Sequence, residues 1–439
     1  MTDGVFDVAV IAEGLNALLA AYELAKSGAS VALIDRYKPS LELDGYDFNY
    51  YPQHLFTPHD LPGIFQELRI AFEVYTGPAY QVVLPDRRID MHLNIQRLMK
   101  AVGCRFADGT AQLGEFLSRE QRISDLQSQI RGMGGGRKGR PGKKLRRLVL
   151  KERLLRESRY AYRALGGLNE TGPESAFIDA IGKFMAPWLD GLRLPAYRAA
   201  APLFLRKRVY PAGGRGGLKA ALLSGLGKRR VSIIQGEEVS GIEHGRYFTT
   251  RCTHGQEVRS RRLVLDPIRE KTVSLLPFRA YRGMRKRFFV DNIFIGLRRS
   301  CLPEPYSRVN SAVMVGDYGR PLENDNLIFM DTSPLTDIKR TRDEMVALTA
   351  TLLIREDSVA GLPAIRQAAI DRIRWFMPFF DEHVERIYYT DPSIVWEPGT
   401  VPVSRKGLLL LNDEFINLYT GNATYAYIKR QAEKLVRTL

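Results

Sequence analysis

The chain has 439 residues, of which 45% are hydrophobic, 10% aromatic and 26% charged, a balance that excludes wholesale disorder, a collagen-like repeat and a disulfide-built scaffold. Its cysteines, Cys104, Cys252 and Cys301, are odd in number and far apart, so neither a disulfide framework nor a zinc-knuckle spacing is present. The net charge is +16, and a chain of this length is expected to form two domains or one domain with a large insertion. The Met1–Gly14 segment carries acids but no Lys or Arg ahead of its apolar run, the wrong order for a secretory signal. No stretch approaches the roughly 18 uninterrupted apolar residues of a membrane span. The expectation is a soluble protein of a reducing cytoplasm, peripheral to a membrane at most.

Residues 5–36 read as strand, turn, helix, strand. Both strands are continuous apolar runs, as in parallel strands buried on both faces, and Ser27-Gly28 closes the helix between them. This is a βαβ unit of about 30 residues. Residues 80–92 read as two strands turning at Pro85-Asp86, followed by helical patterns at 93–102 and 112–131. His54 and His59 lie in a Pro-bounded loop beside Asp60 and read as loop residues. His92, His244, His254 and His383 are isolated, so no metal site is expected.

The positive charge is concentrated. Between Arg131 and Arg163 thirteen Lys/Arg stand against two Glu, a local +11 that leaves +5 for the rest. Gly132–Gly142 is too rich in Gly and Pro for a helix or strand, and Leu145, Leu148, Leu150, Leu154 and Leu155 then recur at near-helical spacing. A basic loop feeding a basic amphipathic helix is expected. Its plainest role is a solvated helix packing its Leu stripe on the body. The second is an anionic membrane surface touched through Lys143–Arg163. Nucleic acid is a minor third, unsupported by any aromatic-interleaved groove or known motif.

Helices continue to about residue 185, and a signal-rich stretch runs from Val209 to Asp266. Residues 287–330 read as strands, and 341–355 and 364–378 as helices. A strand at 408–411 and a helix over about 422–437 end the chain. The aromatic run at 374–380 reads as core before it reads as a tunnel lining.

A strand–turn–helix opening of this kind normally carries Gly-x-Gly-x-x-Gly, whose backbone N–H groups and helix dipole hold a pyrophosphate. Here the stretch is Ala12-Glu13-Gly14-Leu15-Asn16-Ala17, with only the central Gly kept. Glu13 brings a carboxylate to the phosphate position. At about 5 Å and an effective dielectric near 20, each such repulsion costs on the order of 3 kcal/mol, which turning Glu13 into solvent would relieve. Asp35 lies 21 positions after Gly14, where an acidic residue would hold the ribose hydroxyls.

Tyr210-Pro211-Ala212-Gly213-Gly214-Arg215-Gly216-Gly217-Leu218, then a helix, a strand and Glu238–Glu243, resembles the second signature of the phytoene desaturase and flavin amine oxidase superfamily, which includes the Rab GDP-dissociation inhibitors and escort proteins. The resemblance extends to Asp7–Asp35 and to Leu408–Leu435. It implies an α/β, Rossmann-like FAD-binding fold of the GR2 type with an inserted mixed substrate domain. The dinucleotide-type domain would comprise 1–65, 200–270 and 395–439. The substrate or partner domain would comprise 66–199 and 271–394, including the basic insert 131–163. Carried over position by position, the cofactor residues would be Ala12, Glu13, Gly14, Leu15, Asp35 and Arg36, with Val239 on the adenine and Asp413 on the ribityl chain. Asn412 stands where the family has Gly. The family's Arg-x-x-x-Gly-Gly-Arg stretch is missing, with only Asp44-Gly45 in that region.

Two functions follow from the resemblance. The first is an FAD-dependent oxidoreductase passing hydride from an apolar substrate to the flavin, with no catalytic side chain identified. The alternative is a non-catalytic scaffold, like the GDP-dissociation inhibitors, that has lost FAD and binds a lipid or a lipidated or protein partner.

Overall fold

A computed structural model describes residues 4–50, 55–56, 65–67, 74–76, 80–91, 95–106, 110–132, 141–165, 172–185, 208–229, 231–265, 274–276, 286–333, 344–396, 407–410 and 422–437. His54, His59, His92, Asn412 and Asp413 lie outside the described residues, as does the 133–140 part of the basic loop.

The opening unit forms as its pattern dictates. Strand β1 (Phe6–Ala12) and strand β2 (Val31–Asp35) flank helix α1 (Leu15–Lys26), and β2 is buried throughout. The two strands pair in parallel with Ala12 opposite Asp35. They sit in a seven-stranded sheet that draws on three distant parts of the chain. Ser232–Gln235 adds to the outer side of β2, and Glu257–Leu265 adds to β1 on the other side. Leu408–Leu410 then pairs in parallel with the end of Glu257–Leu265, which also carries an antiparallel ribbon of Phe248–Cys252 and Val239–His244. Helix α1 packs against the Gly214–Lys228 and Asn422–Val436 helices.

The second signature has a local physical cause. Gly213 and Gly214 sit at φ 73° and 62°, where a side chain would be strained. A Cβ on Gly217 would lie 2.3 Å from the Ala212 carbonyl oxygen. The glycines therefore let the Gly214–Lys228 helix start hard against the strand that precedes it.

A second, mostly antiparallel sheet has eight strands. Val384–Tyr389, Lys286–Arg298, Met345–Ile354, Leu327–Thr332, Ser311–Val315, Gln81–Val83 and Arg88–Asp90 run in that order, and Ser393–Trp396 also pairs with Lys286–Arg298. Here one expectation fails: of the helix expected over 341–355, the described residues 344–355 are not helical. Met345–Ile354 is a central strand held between Lys286–Arg298 and Leu327–Thr332. Its residues from Leu348 to Ile354 are all buried, so an apolar run that could serve either element is decided by the neighbours that cover both faces. Leu362–Phe376 is helical as expected and packs Ile370, Ile373 and Phe376 on this sheet. In the 374–380 run, Phe376, Met377 and Phe380 join that core, while Trp375 and Phe379 point outward.

Asp44-Gly45, which occupies the region of the absent Gly-Gly-Arg, makes a hairpin between Ser40–Leu43 and Tyr46–Asn49, both turn residues having positive φ. The hairpin docks on the second sheet through buried polar contacts. Asn49 Nδ2 donates to Asp331 at 2.5 Å, and Thr349 Oγ1 donates to the Asn49 carbonyl at 2.8 Å. Among the described residues no helix is long and apolar enough to cross a membrane.

Candidate functional site

The parallel strands of the first sheet end together. The registers align Ala12, Asp35 and Gln235 in one row at the carboxyl edge, where β1 is flanked by β2 on one side and Glu257–Leu265 on the other. Open α/β sheets place ligands outside such an edge, at the point where the strand order reverses.

The row is tied shut by charge. The Arg36 N–H donates to the Ala12 carbonyl at 2.8 Å, which fixes the chain just after β2 beside the turn after β1. From there the Arg36 guanidinium reaches back to the Glu13 carboxylate at 2.9 Å, both side chains only 1% exposed. Its other terminal nitrogen donates to Glu238, the residue before the Val239–His244 strand. Glu13 thus turns inward and does not take the solvent-facing direction that would relieve repulsion of a phosphate. A buried guanidinium two residues wide of the turn offers it more than water does, since a buried carboxylate needs a paired, hydrogen-bonded partner.

Asp35 is engaged as well. Lys219, on the Gly214–Lys228 helix, lies 2.9 Å from Asp35 Oδ2 and also donates to the Tyr37 carbonyl. Asp35 Oδ1 accepts the Tyr37 N–H at 3.2 Å. Gly14 is extended at the start of α1, and Ala12 and Leu15 are buried. Val239 is buried opposite Cys252. Burial pushes the Cys252 thiol up, Glu237 adds to the rise, and Arg36 opposes it. The structure therefore brings Ala12, Glu13, Gly14, Leu15, Asp35, Arg36 and Val239 to one corner.

Lys219 and Glu238 complete that corner, and neither was picked out from the sequence. Glu238 stands next to Val239 in the second signature and Lys219 directly follows Leu218 of the same signature, so adjacency to a motif was the only signal available. Among the described residues, the ion pairs of the corner join three carboxylates, Glu13, Asp35 and Glu238, to Arg36 and Lys219. An incoming pyrophosphate would bring about two more negative charges beside these carboxylates, at about 3 kcal/mol per close pair. Arg36 is already shared between two carboxylates, and Asp35, which the resemblance assigns to the ribose hydroxyls, is paired with Lys219. The described residues of this corner do not fit a flavin pyrophosphate in this arrangement. Among the described residues no cluster of His, Cys, Asp and Glu could hold a metal ion.

No family model matches the chain. No curated protein matches it. Solved structures do. The Rab GDI of Plasmodium falciparum superposes with a TM-score of 0.65 at 12% identity, covering 98% of each chain. An oxidoreductase from Methanosarcina mazei gives 0.61 at 13% identity over 98% of this chain and 100% of its own. Cyclohexylamine oxidase from Brevibacterium oxydans gives 0.57 at 12% identity over 99% of both chains. With the three-segment parallel sheet, the antiparallel ribbon beside it and the second mixed sheet, the chain has, along its whole length, the fold that the flavin amine oxidases share with Rab GDI.

Proposed function

We propose that this chain is a non-catalytic scaffold that binds a lipid-bearing or otherwise apolar partner, with its nucleotide corner kept closed by its own ion pairs. The observation that carries this reading is the buried Glu13–Arg36 pair, extended to the partly exposed Glu238, which puts protein carboxylates where a flavin pyrophosphate would need cations. A corner braced by its own ion pairs lets the fold stand without a cofactor. The likeness to Rab GDI supports the same reading, and the partner class follows the resemblance to the GDP-dissociation inhibitors.

A flavin oxidoreductase acting on an isoprenoid, polyene or amine is the second reading. It is favoured by the likeness to amine oxidases and by the register that sets Asp35 opposite Ala12, where a ribose-binding acid belongs. It requires Arg36 to leave both carboxylates.

The two readings separate on a purified sample. The scaffold reading expects colourless protein and no rise in melting temperature with added FAD. Visible flavin absorbance, or stabilisation approaching the roughly 2.7 kcal/mol expected at a hundredfold excess over the dissociation constant, overturns it. The Glu13→Ala, Glu238→Ala double variant removes the two carboxylates that pair with Arg36. FAD binding by that variant and not by the parent would assign the closure to these side chains.

A further inference from the structure

The Pro141–Leu165 helix has two unlike faces. Leu150, Leu154 and Ala161 pack into the main core, and Glu157 pairs with Arg119 of the Thr110–Gly132 helix at 2.9 Å. The opposite face, at the spacing of residues 145, 148, 149, 152, 156, 159 and 163, lies in solvent. That outer side exposes Leu145 at 65%, Leu148 at 63%, and Val149 and Leu155 to nearly half. Aliphatic groups normally face the core, so four of them on the side turned away from it call for a partner.

The cations between them are as unusual. Arg153, Arg156 and Arg159 are exposed, and among the described residues their side chains make no ion pair. Exposed arginines elsewhere do pair: Arg251 with Glu243 and Glu257, Arg355 with Glu323 and Asp357, and Arg374 with Asp371 and Asp381. Arg146, Lys151 and Arg163 are exposed on the same helix, whose only fully exposed acid is Glu152.

We infer that this face docks on an anionic phospholipid surface. The cations meet the lipid phosphates and carboxylates, while Leu145, Leu148, Val149 and Leu155 enter the boundary between head groups and acyl chains. The helix, about 37 Å long, would lie in the plane of the interface. A second copy of the same face would bring like charges together, and a nucleic acid backbone would leave the four aliphatics unburied. The inference does not depend on what the crevice binds.

The test is co-sedimentation of the full chain with vesicles of phosphatidylcholine alone and of phosphatidylcholine with phosphatidylserine. The parent is expected to partition onto the anionic vesicles only, and more weakly as salt is raised. Each cation near such a surface is worth about fivefold in affinity, so Arg156→Glu with Arg159→Glu should weaken binding at least tenfold. Leu145→Ser with Leu148→Ser should weaken it severalfold and leave the salt dependence in place. All four positions are exposed, and an unchanged melting temperature confirms that the variants fold. Equal partitioning on neutral and anionic vesicles overturns the inference, as does no partitioning or charge-reversed protein that binds like the parent. So does a face that instead mediates self-association or retains nucleic acid in preference to vesicles.

Discussion

The nucleotide corner and the outer face of the Pro141–Leu165 helix use the same chemical groups in opposite ways. In the corner, Glu13, Arg36 and Glu238 are matched with one another, and Lys219 is matched with Asp35. On the helix, the side chains of Arg153, Arg156 and Arg159 make no ion pair among the described residues. Removing a charge from water costs several kcal/mol unless a partner compensates, and the buried Glu13 and Arg36 charges compensate each other. An exposed guanidinium carries no such cost and stays available to an outside anion. The contrast separates groups that hold the molecule together from groups that can meet something else. A region lined with charge is not for that reason a binding site.

The largest expected effect comes from breaking the paired region. Arg36→Ala strands the buried Glu13 carboxylate and should cost about 3–5 kcal/mol, read as a fall in the urea midpoint. A loss below about 1 kcal/mol would mean that the corner is not held by these charges.

Gly217→Ala tests how the corner is assembled. With the Ala212 carbonyl 2.3 Å from the added methyl, the helix bearing Lys219 must shift, at about 1–3 kcal/mol in a denaturant melt. A neutral result would show that the helix start has room to spare.

Glu120 sharpens the rule from the other side. It lies at 1% exposure on the Thr110–Gly132 helix, both carboxylate oxygens are without a hydrogen-bond partner, and burial holds its pKa well above the ordinary value. The folded protein therefore keeps a proton that the unfolded chain loses near the ordinary 4.5. Stability attributable to Glu120 falls as pH rises from that value toward the raised one. Glu120→Gln should remove this slope and stabilise by about 1–3 kcal/mol in mildly alkaline buffer, measured by melts across pH. A parent whose stability rises through that window would contradict the assignment. Asp179, raised to about 6 by burial with Lys183 opposing, should add a smaller effect of the same sign at lower pH.

The smallest effect is expected in the unpaired region. Arg156→Glu with Arg159→Glu should leave stability within about 0.5 kcal/mol of the parent. A larger loss would show that these side chains support the fold.

Much of the architecture was legible because its signals are local and periodic. The buried runs of β1 and β2, the Ser27-Gly28 helix end and the Gly-rich second signature each express a physical need within a few residues. The strand–strand turn at Pro85-Asp86 was legible for the same reason. Met345–Ile354 was misread because a ten-residue run rich in Leu, Thr and Ala suits a buried helix as well as a buried strand. The Asp44-Gly45 hairpin carried a turn signal that went unused while that region was compared with a missing motif.

What the amino-acid sequence determined alone was the βαβ opening, the damaged fingerprint and the concentration of positive charge between Arg131 and Arg163, all set by residues close in the chain. The direction of Glu13 was decided only in three dimensions. Its partner Arg36 lies on the next strand's end, and Arg36 in turn meets Glu238 across 202 positions of sequence. Likewise the chain could announce a basic helix, but which of its leucines face the core and which face solvent depended on where the Thr110–Gly132 helix packs. Pairing and burial are properties of neighbours in space, and no periodicity along a chain specifies them.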